Sequence, residues 1–271
     1  MSQLSPKALK PPTGYPLGTN APFKYVSKLI IPLLNLWIKK DWRGMENLPK
    51  SGPVLVVCNH VSYLDALVWA HYLFRNGRAP RFLGKVGVFR TPIVGKIITA
   101  AGQVPVHRES DGASDALESG IKLLEVGHCL AIYPEGTLTR DENLWPMMAK
   151  TGAGRIAAST KVPLIPFAQW GDQNLIPRYS KKFIFWKRHK VTIVAGKPID
   201  MSRWYGKADD PEAMRAFGKV QKGIIRDVSP RYVALEYFDL KPGEQRAISV
   251  AGRSENYHGG QHGLQIGRAH V

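Results

Sequence analysis

The stretch Asn59-His60-Val61-Ser62-Tyr63-Leu64-Asp65 sets a histidine and a carboxylate five positions apart at the junction of two patterns. Before it, Pro53-Val54-Leu55-Val56-Val57-Cys58 has the make-up of a buried strand. After it, Ser62 predicts an N-cap for a helix from Tyr63 to about Phe74, with Asp65 in the first turn. A histidine at the mouth of a strand-to-helix turn can meet a substrate. A carboxylate in that turn can lie back on its ring, fix the tautomer and stabilise the imidazolium formed when the other nitrogen takes a proton. The competing reading is plainer: Asp65 only caps the helix, and His60 is a polar loop residue.

Two further loops bring polar groups to strand ends. Gly102-Gln103-Val104-Pro105-Val106-His107-Arg108 reads as a short strand that delivers His107 and Arg108 to a loop. His128-Cys129-Leu130-Ala131-Ile132-Tyr133 reads as another buried strand and runs straight into Pro134-Glu135-Gly136-Thr137-Leu138-Thr139-Arg140. Ligands of open α/β sheets gather where strand ends meet loops. Cys58 and Cys129 each lie inside an apolar run, so they read as core thiols in a reducing compartment rather than as a disulfide. No His/Cys spacing suggests a metal site, and there is no Gly-x-Ser-x-Gly nucleophile elbow.

The elements that must position these loops alternate. A second strand is expected over Arg81–Lys85, then helices over about Thr91–Ala101 and from Ser110 or Asp111 to Val126. Lys150-Thr151-Gly152-Ala153-Gly154-Arg155 opens a small-residue helix. Val162–Trp170 reads as a strand whose prolines suit a sheet edge or a bulge. Phe183–Trp186 and Val191–Val194 are expected to pair as a hairpin, and a last helix runs from Asp209 or Asp210 to about Asp227. The fold class is therefore α/β, a mixed, largely parallel sheet flanked by helices on both faces.

The formal charge of +17 calls for an anionic partner. Residues 1–50 carry eight Lys/Arg against two acids, and Arg178–Lys190 carries six against none. Both stretches interleave cations with large apolar residues, which favours a membrane surface with anionic lipid over nucleic acid. Four prolines within residues 1–21 forbid a helix there and suggest a mobile arm. From Phe23 to Ile38 an apolar helix is expected, flanked by Lys24, Lys28, Lys39 and Lys40 and suited to lie in the membrane interface. Its uninterrupted apolar run, Leu29–Leu34, is far short of the ~20 residues a spanning helix needs. No small-residue cleavage site follows it, so it is not read as a signal peptide. Deleting residues 1–40 is thus expected to release the protein from membranes and leave the core folded. At the other end, Gln265–Val271 reads as a translated sequencing adapter and is set aside.

The blocks Asn59–Asp65, Gly102–Arg108, Tyr133–Thr137 and Val162–Pro166 occur in this order over roughly Met45–Trp170. Together they resemble the glycerolipid acyltransferase family, specifically the 1-acylglycerol-3-phosphate acyltransferases. The wording around Lys150 and Val162 looks like the actinobacterial branch. The resemblance implies that His60, held by Asp65, deprotonates the acceptor hydroxyl, which attacks the thioester of acyl-CoA or acyl carrier protein to give phosphatidic acid. A thioester is already activated, so no enzyme nucleophile and no cofactor is implied. Arg108 and the Glu135-Gly136-Thr137 turn would hold the phosphate-bearing acceptor, lysophosphatidic acid. Arg108 suits the phosphate through its bidentate fork; Glu135 would accept from a glycerol hydroxyl or orient Arg108. Lys85 and Lys150 are further candidates for anion contact. The family often places an arginine directly after Pro-Glu-Gly-Thr, where this chain has Leu138; Arg140 stands two residues on as a substitute.

The resemblance divides the chain into an arm and membrane-associating helix (1–44), an acyltransferase domain (45–230) and a tail (231–271). It implies a peripheral or monotopic protein on the cytoplasmic face of the cell membrane. Transfer to glycerol 3-phosphate, another lysophospholipid or a glycolipid would use the same motifs. A basic protein that only binds membranes or nucleic acid would leave His60, Asp65 and Glu135 unexplained.

Overall fold

The computed structural model describes residues 4, 9–106, 112–180 and 182–229; Arg108, His107 and the segment 230–271 lie outside them. Seven strands form one sheet in the order β1-β7-β6-β2-β5-β3-β4. They are β1 (Ile38–Arg43), β2 (Val54–Cys58), β3 (Pro80–Lys85), β4 (Val104–Val106), β5 (Cys129–Ile132), β6 (Leu164–Trp170) and β7 (His189–Ala195). All neighbouring pairs are parallel except β6 and β7, so the sheet is mixed and largely parallel, as expected.

The period-two alternation of β2 sorts its side chains between two cores. Val54, Val56 and Cys58 join one cluster with Trp69 and Tyr72 of α2 (Asp65–Arg75) and Leu34 of α1 (Ala21–Trp37). Leu55 and Val57 join the other, built with Leu123 and Leu124 of α5 (Gly112–Glu125), Ile156 of α6 (Thr151–Thr160) and Phe217 of α7 (Pro211–Val228). Every β2 residue is buried because helices cover both faces, the condition that lets a parallel strand be an unbroken apolar run. Two shorter helices, α3 (Val86–Phe89) and α4 (Val94–Ala100), follow β3 on the rim. Asp210 caps α7 by accepting from the N–H groups of Glu212 and Ala213, as its position before Pro211 predicts.

Several expectations are corrected. The boundary at residue 44 does not separate two units. β1 comes from the expected arm and pairs with β7 along its whole length, and Leu34 and Ile38 are core residues. Deleting residues 1–40 would therefore tear out half of an edge strand and part of the core. Residues 9–20 are also anchored: Leu17 N–H donates to Gly77 O at 2.8 Å, and Arg81 Nη2 to Gly18 O at 2.8 Å. β6 is not an edge strand but lies between β2 and β7. Pro166 is tolerated there because the ladder to β7 begins only at Phe167, while its carbonyl accepts from Gly196 N–H. The Phe183–Trp186 hairpin does not form, since β7 finds both its partners in β1 and β6. Phe183 instead packs edge-on against Trp37, with ring centroids 4.8 Å apart.

Candidate active site

β2, β5 and β6 run parallel at the centre of the sheet, so their C-terminal ends open onto one edge. The chain leaves β2 through Asn59 and His60. His60 Nδ1 lies 2.8 Å from Asp65 Oδ2. The same oxygen accepts the backbone N–H of Val61 at 2.6 Å and of Ser62 at 3.0 Å. The helix begins at Asp65, not at Tyr63, and Leu64 is its N-cap residue. Asp65 thus does not cap the helix; it turns back and gathers the loop that carries His60. Ser62 is used otherwise, its hydroxyl accepting from Leu64 N–H and donating to Ile176 O at 2.8 Å.

Asp65 is wholly buried. Burial raises its carboxyl above the ordinary value, and hydrogen bonds from the Asp172 side chain and from the Ser62 and Val61 N–H groups pull it back. The donor at Nδ1 fixes the neutral imidazole with its lone pair on Nε2, the tautomer a general base needs. The ring of Tyr133 stacks on that of His60, centroids 4.1 Å apart and planes 14° from parallel.

Glu135 makes contacts that its expected role did not include. Its Oε1 accepts the His60 N–H at 3.0 Å and its Oε2 the Met147 N–H at 2.9 Å, so both oxygens are committed to backbone. Thr139 N–H donates to His60 O at 2.8 Å. The segment after β5 therefore grips the backbone of His60 on both sides. Burial pushes the Glu135 carboxyl up to about 7, against the pull of those two N–H groups. Gly136 makes the turn possible: its φ is +73°, and a Cβ there would stand 3.1 Å from Lys150 Nζ. That distance also places the Lys150 side chain over the Glu135-Gly136-Thr137 turn.

In front of His60 lies a cleft of about 550 Å³ between α1 and the β3–α4 limb, and Lys85, Tyr133, Thr137 and Leu138 line it. Its walls are otherwise almost entirely apolar, with Ile30, Ile31 and Leu34 from α1 on one side and Phe82, Val88 and Ile97 on the other. The structure so brings His60, Asp65, Glu135, Gly136, Thr137, Lys85 and Lys150 to one edge. Arg140 follows on the same segment and is exposed. Arg108 lies outside the described residues; Val106, which ends β4, is the nearest described residue before it. Of the cationic Arg178–Lys190 segment, Arg178 donates to Thr139 O, Arg188 to Ile38 O, and Lys190 pairs with Asp41 at 3.0 Å. Half of those cations hold the fold together.

Sequence reasoning missed Tyr133, Asn59, Gln169 and Asp172. Asn59 Nδ2 donates to Gln169 O at 3.0 Å and its Oδ1 accepts Gln169 N–H at 2.8 Å, a reciprocal pair that prolongs the β2–β6 ladder into the site. Nothing local marks Asn59 or Gln169, because the two stand 110 positions apart.

A family model described as Acyltransferase matches residues 40–170, the span that supplies His60, Asp65 and Glu135. The matched span, residues 40–170, is an acyltransferase domain of this family's pattern. It is 32% identical over 188 residues to a chloroplastic 1-acyl-sn-glycerol-3-phosphate acyltransferase of Brassica napus, covering 69% of this chain and 51% of that one. A Bacillus subtilis protein named 1-acyl-sn-glycerol-3-phosphate acyltransferase is 29% identical over 180 residues, 65% of this chain and 82% of that one. The fold is similar to the crystal structure of the 1-acyl-sn-glycerophosphate acyltransferase PlsC from Thermotoga maritima, with a TM-score of 0.58, 24% identity, and 81% and 80% of the two chains covered. The chain spans about half the length of the plant relatives it matches. These relatives do not bear on the actinobacterial wording of the Lys150 and Val162 blocks.

Proposed function

We propose that this chain is a 1-acylglycerol-3-phosphate O-acyltransferase that converts lysophosphatidic acid to phosphatidic acid. The observation that carries the reading is the His60–Asp65 pair set at the floor of an apolar cleft. His60 Nε2 takes the proton of the acceptor's sn-2 hydroxyl, and Asp65 holds the resulting imidazolium. The oxygen attacks the carbonyl carbon of an acyl thioester, the C–S bond breaks, and the proton on His60 passes to the departing thiolate. The cleft takes acyl chain, while Lys85, Lys150, Thr137, Arg140 and Arg108 offer donors to the acceptor's phosphate. Glu135 holds the histidine loop rather than the substrate.

The names of the relatives support this acceptor, and the acyl donor is coenzyme A or acyl carrier protein. Among the described residues no helix is long and apolar enough to cross a membrane. Leu29, Leu36 and Tyr25 on α1 are all more than 60% exposed beside Lys24 and Lys28, which supports peripheral attachment to the cytoplasmic face of the membrane through this helix. The test supplies purified protein with lysophosphatidic acid and long-chain acyl-CoA or acyl carrier protein, and follows phosphatidic acid and free thiol together. Stoichiometric appearance of both is expected. Thiol release with glycerol 3-phosphate or another lysolipid, and none with lysophosphatidic acid, would replace the acceptor.

A further inference from the structure

Behind Asp65 lies a second carboxyl that the chemistry above does not use. β6 ends at Trp170, and Gly171, with φ at +112°, turns the chain sharply beneath the site. A side chain at Gly171 would collide with Lys190 O, 2.1 Å from an added Cβ, so the turn requires glycine. The turn carries Asp172 inward to complete burial. The Asp172 and Asp65 side chains stand within hydrogen-bonding reach of each other. Among the described residues, their Oδ1 atoms meet no N–H or O–H donor. Two carboxylates cannot share a hydrogen bond without a proton, and two adjacent negative charges removed from water would repel strongly.

Donor geometry decides which carboxyl holds that proton. Asp65 Oδ2 already receives three donors, His60 Nδ1, Val61 N–H and Ser62 N–H. Asp172 Oδ2 receives Gln169 Nε2 at 2.7 Å. The richer donor set favours charge on Asp65 and the proton on Asp172. The other titratable groups facing the pair are His60 from the loop after β2, Cys58 from β2 itself, and Tyr133 and Glu135 from the segment after β5. Of these only His60 can carry positive charge, and it already lies on Asp65. Gln169 Nε2 also stands 3.4 Å from the backbone carbonyl of Asp65, so one amide on β6 bears on both acids.

We propose that Asp172 is a positioning residue, a buried neutral carboxylic acid whose proton is donated to Asp65 and keeps that carboxylate ionised and oriented toward His60. The His60–Asp65 pair is then the outer part of a longer chain, His60–Asp65–Asp172–Gln169, anchored to β6. This rests on the catalytic reading of His60. Burial raises Asp172 well above the ordinary carboxyl range, which agrees with the donor count.

Asp172→Asn and Asp172→Ala separate the possibilities. Asparagine can donate to Asp65 through its amide and accept from Gln169 through its oxygen, so it replaces a neutral acid and not a carboxylate. Alanine removes the donor. With the full-length protein, Asp172→Ala should lower kcat at least tenfold with little change in KM, and Asp172→Asn should recover most of that loss. The acid limb of the kcat/KM profile should move to higher pH in Asp172→Ala, because Asp65 has lost a donor that favours its charge. An ionised Asp172 would give the opposite shift, and that result, or an unmoved limb, overturns the proposal. The infrared difference spectrum of wild type minus Asp172→Asn at neutral pH should show a protonated carboxyl band. Its absence overturns the proposal whether or not lysophosphatidic acid is the substrate, so failure of the acceptor assignment stays distinguishable. Matching thermal unfolding of wild type, Asp172→Asn and Asp172→Ala confirms that both variants are folded.

Discussion

The floor behind His60 and the cleft in front of it are built on opposite principles. On the floor, Asp65, Glu135, Asp172, Gln169 and Asn59 are all buried, and most of their oxygens and nitrogens have a named partner within 3.0 Å. In front, α1 and the α3–α4 limb present aliphatic side chains whose contacts are non-directional, and some are exposed: Val88 by 47% and Ile97 by 40%. The floor has one arrangement because an unpaired polar group there costs about 1–3 kcal/mol. The cleft wall tolerates exchange of one apolar residue for another, because dispersion and water exclusion depend on area and not on direction. Under the proposed function the difference separates the tasks: the floor would set the proton chemistry, and the wall would set how lipid is held.

The comparison breaks most sharply at His60. His60→Ala should lower kcat at least a hundredfold, the lower end of what positioned general bases contribute (~10²–10⁴). The unfolding midpoint should move little, because the ring is a fifth exposed and the loop is held through backbone groups. Appreciable turnover in this variant would mean that the floor does not carry the chemistry.

Glu135 tests whether the floor is held at a cost. Its carboxyl is raised to about 7 by burial, so its protonated form is favoured by folding. The sign follows: the stability it contributes is present at pH below its unfolded value, near 4.5, and is lost as pH rises through about 7. Full ionisation should cost on the order of 3 kcal/mol. Chemical denaturation at pH 5 and pH 8.5 should show wild type less stable at the higher pH. In Glu135→Gln that part of the slope should vanish, although one of the two backbone N–H groups then faces an amide and kcat falls. An unchanged slope would locate the pH sensitivity elsewhere on the floor.

The smallest effects belong to the outer faces of the two wall elements, where Leu29 and Ile93 stand exposed beside the cleft. Leu29→Asp and Ile93→Asp should each weaken sedimentation with anionic vesicles by about tenfold, the loss of one side chain's apolar burial. Turnover of a micellar substrate should stay within about twofold of wild type. A large loss of kcat from either would erase the separation between floor and wall. These point substitutions replace a deletion of residues 1–40, which would remove Leu34 and Ile38 from the core.

The local signals served the floor's first layer well. A strand-like run, a helix start and a histidine five residues from an acid are all contained in one short stretch, so periodicity and capping chemistry expose them. The same holds for the Glu135-Gly136-Thr137 turn, whose glycine declares a positive φ. The role of Glu135 was not legible, because its two donors, His60 N–H and Met147 N–H, are backbone groups that every residue possesses. β1 was missed for a related reason. Its partner β7 follows about 150 residues later, and parallel pairing at that distance leaves no turn signature between the strands.

By itself the sequence determined the α/β class, the alternation of elements, the His60–Asp65 pair and the amphipathic helix before the first strand. Each rests on neighbours within a few residues, where backbone geometry links spacing to direction. Only the tertiary structure decided that this helix belongs to the core, that Glu135 grips backbone, and that Asp172 stands behind Asp65. Those facts depend on which strand ends meet at one edge of the sheet, and register between distant strands is fixed by packing across the whole core.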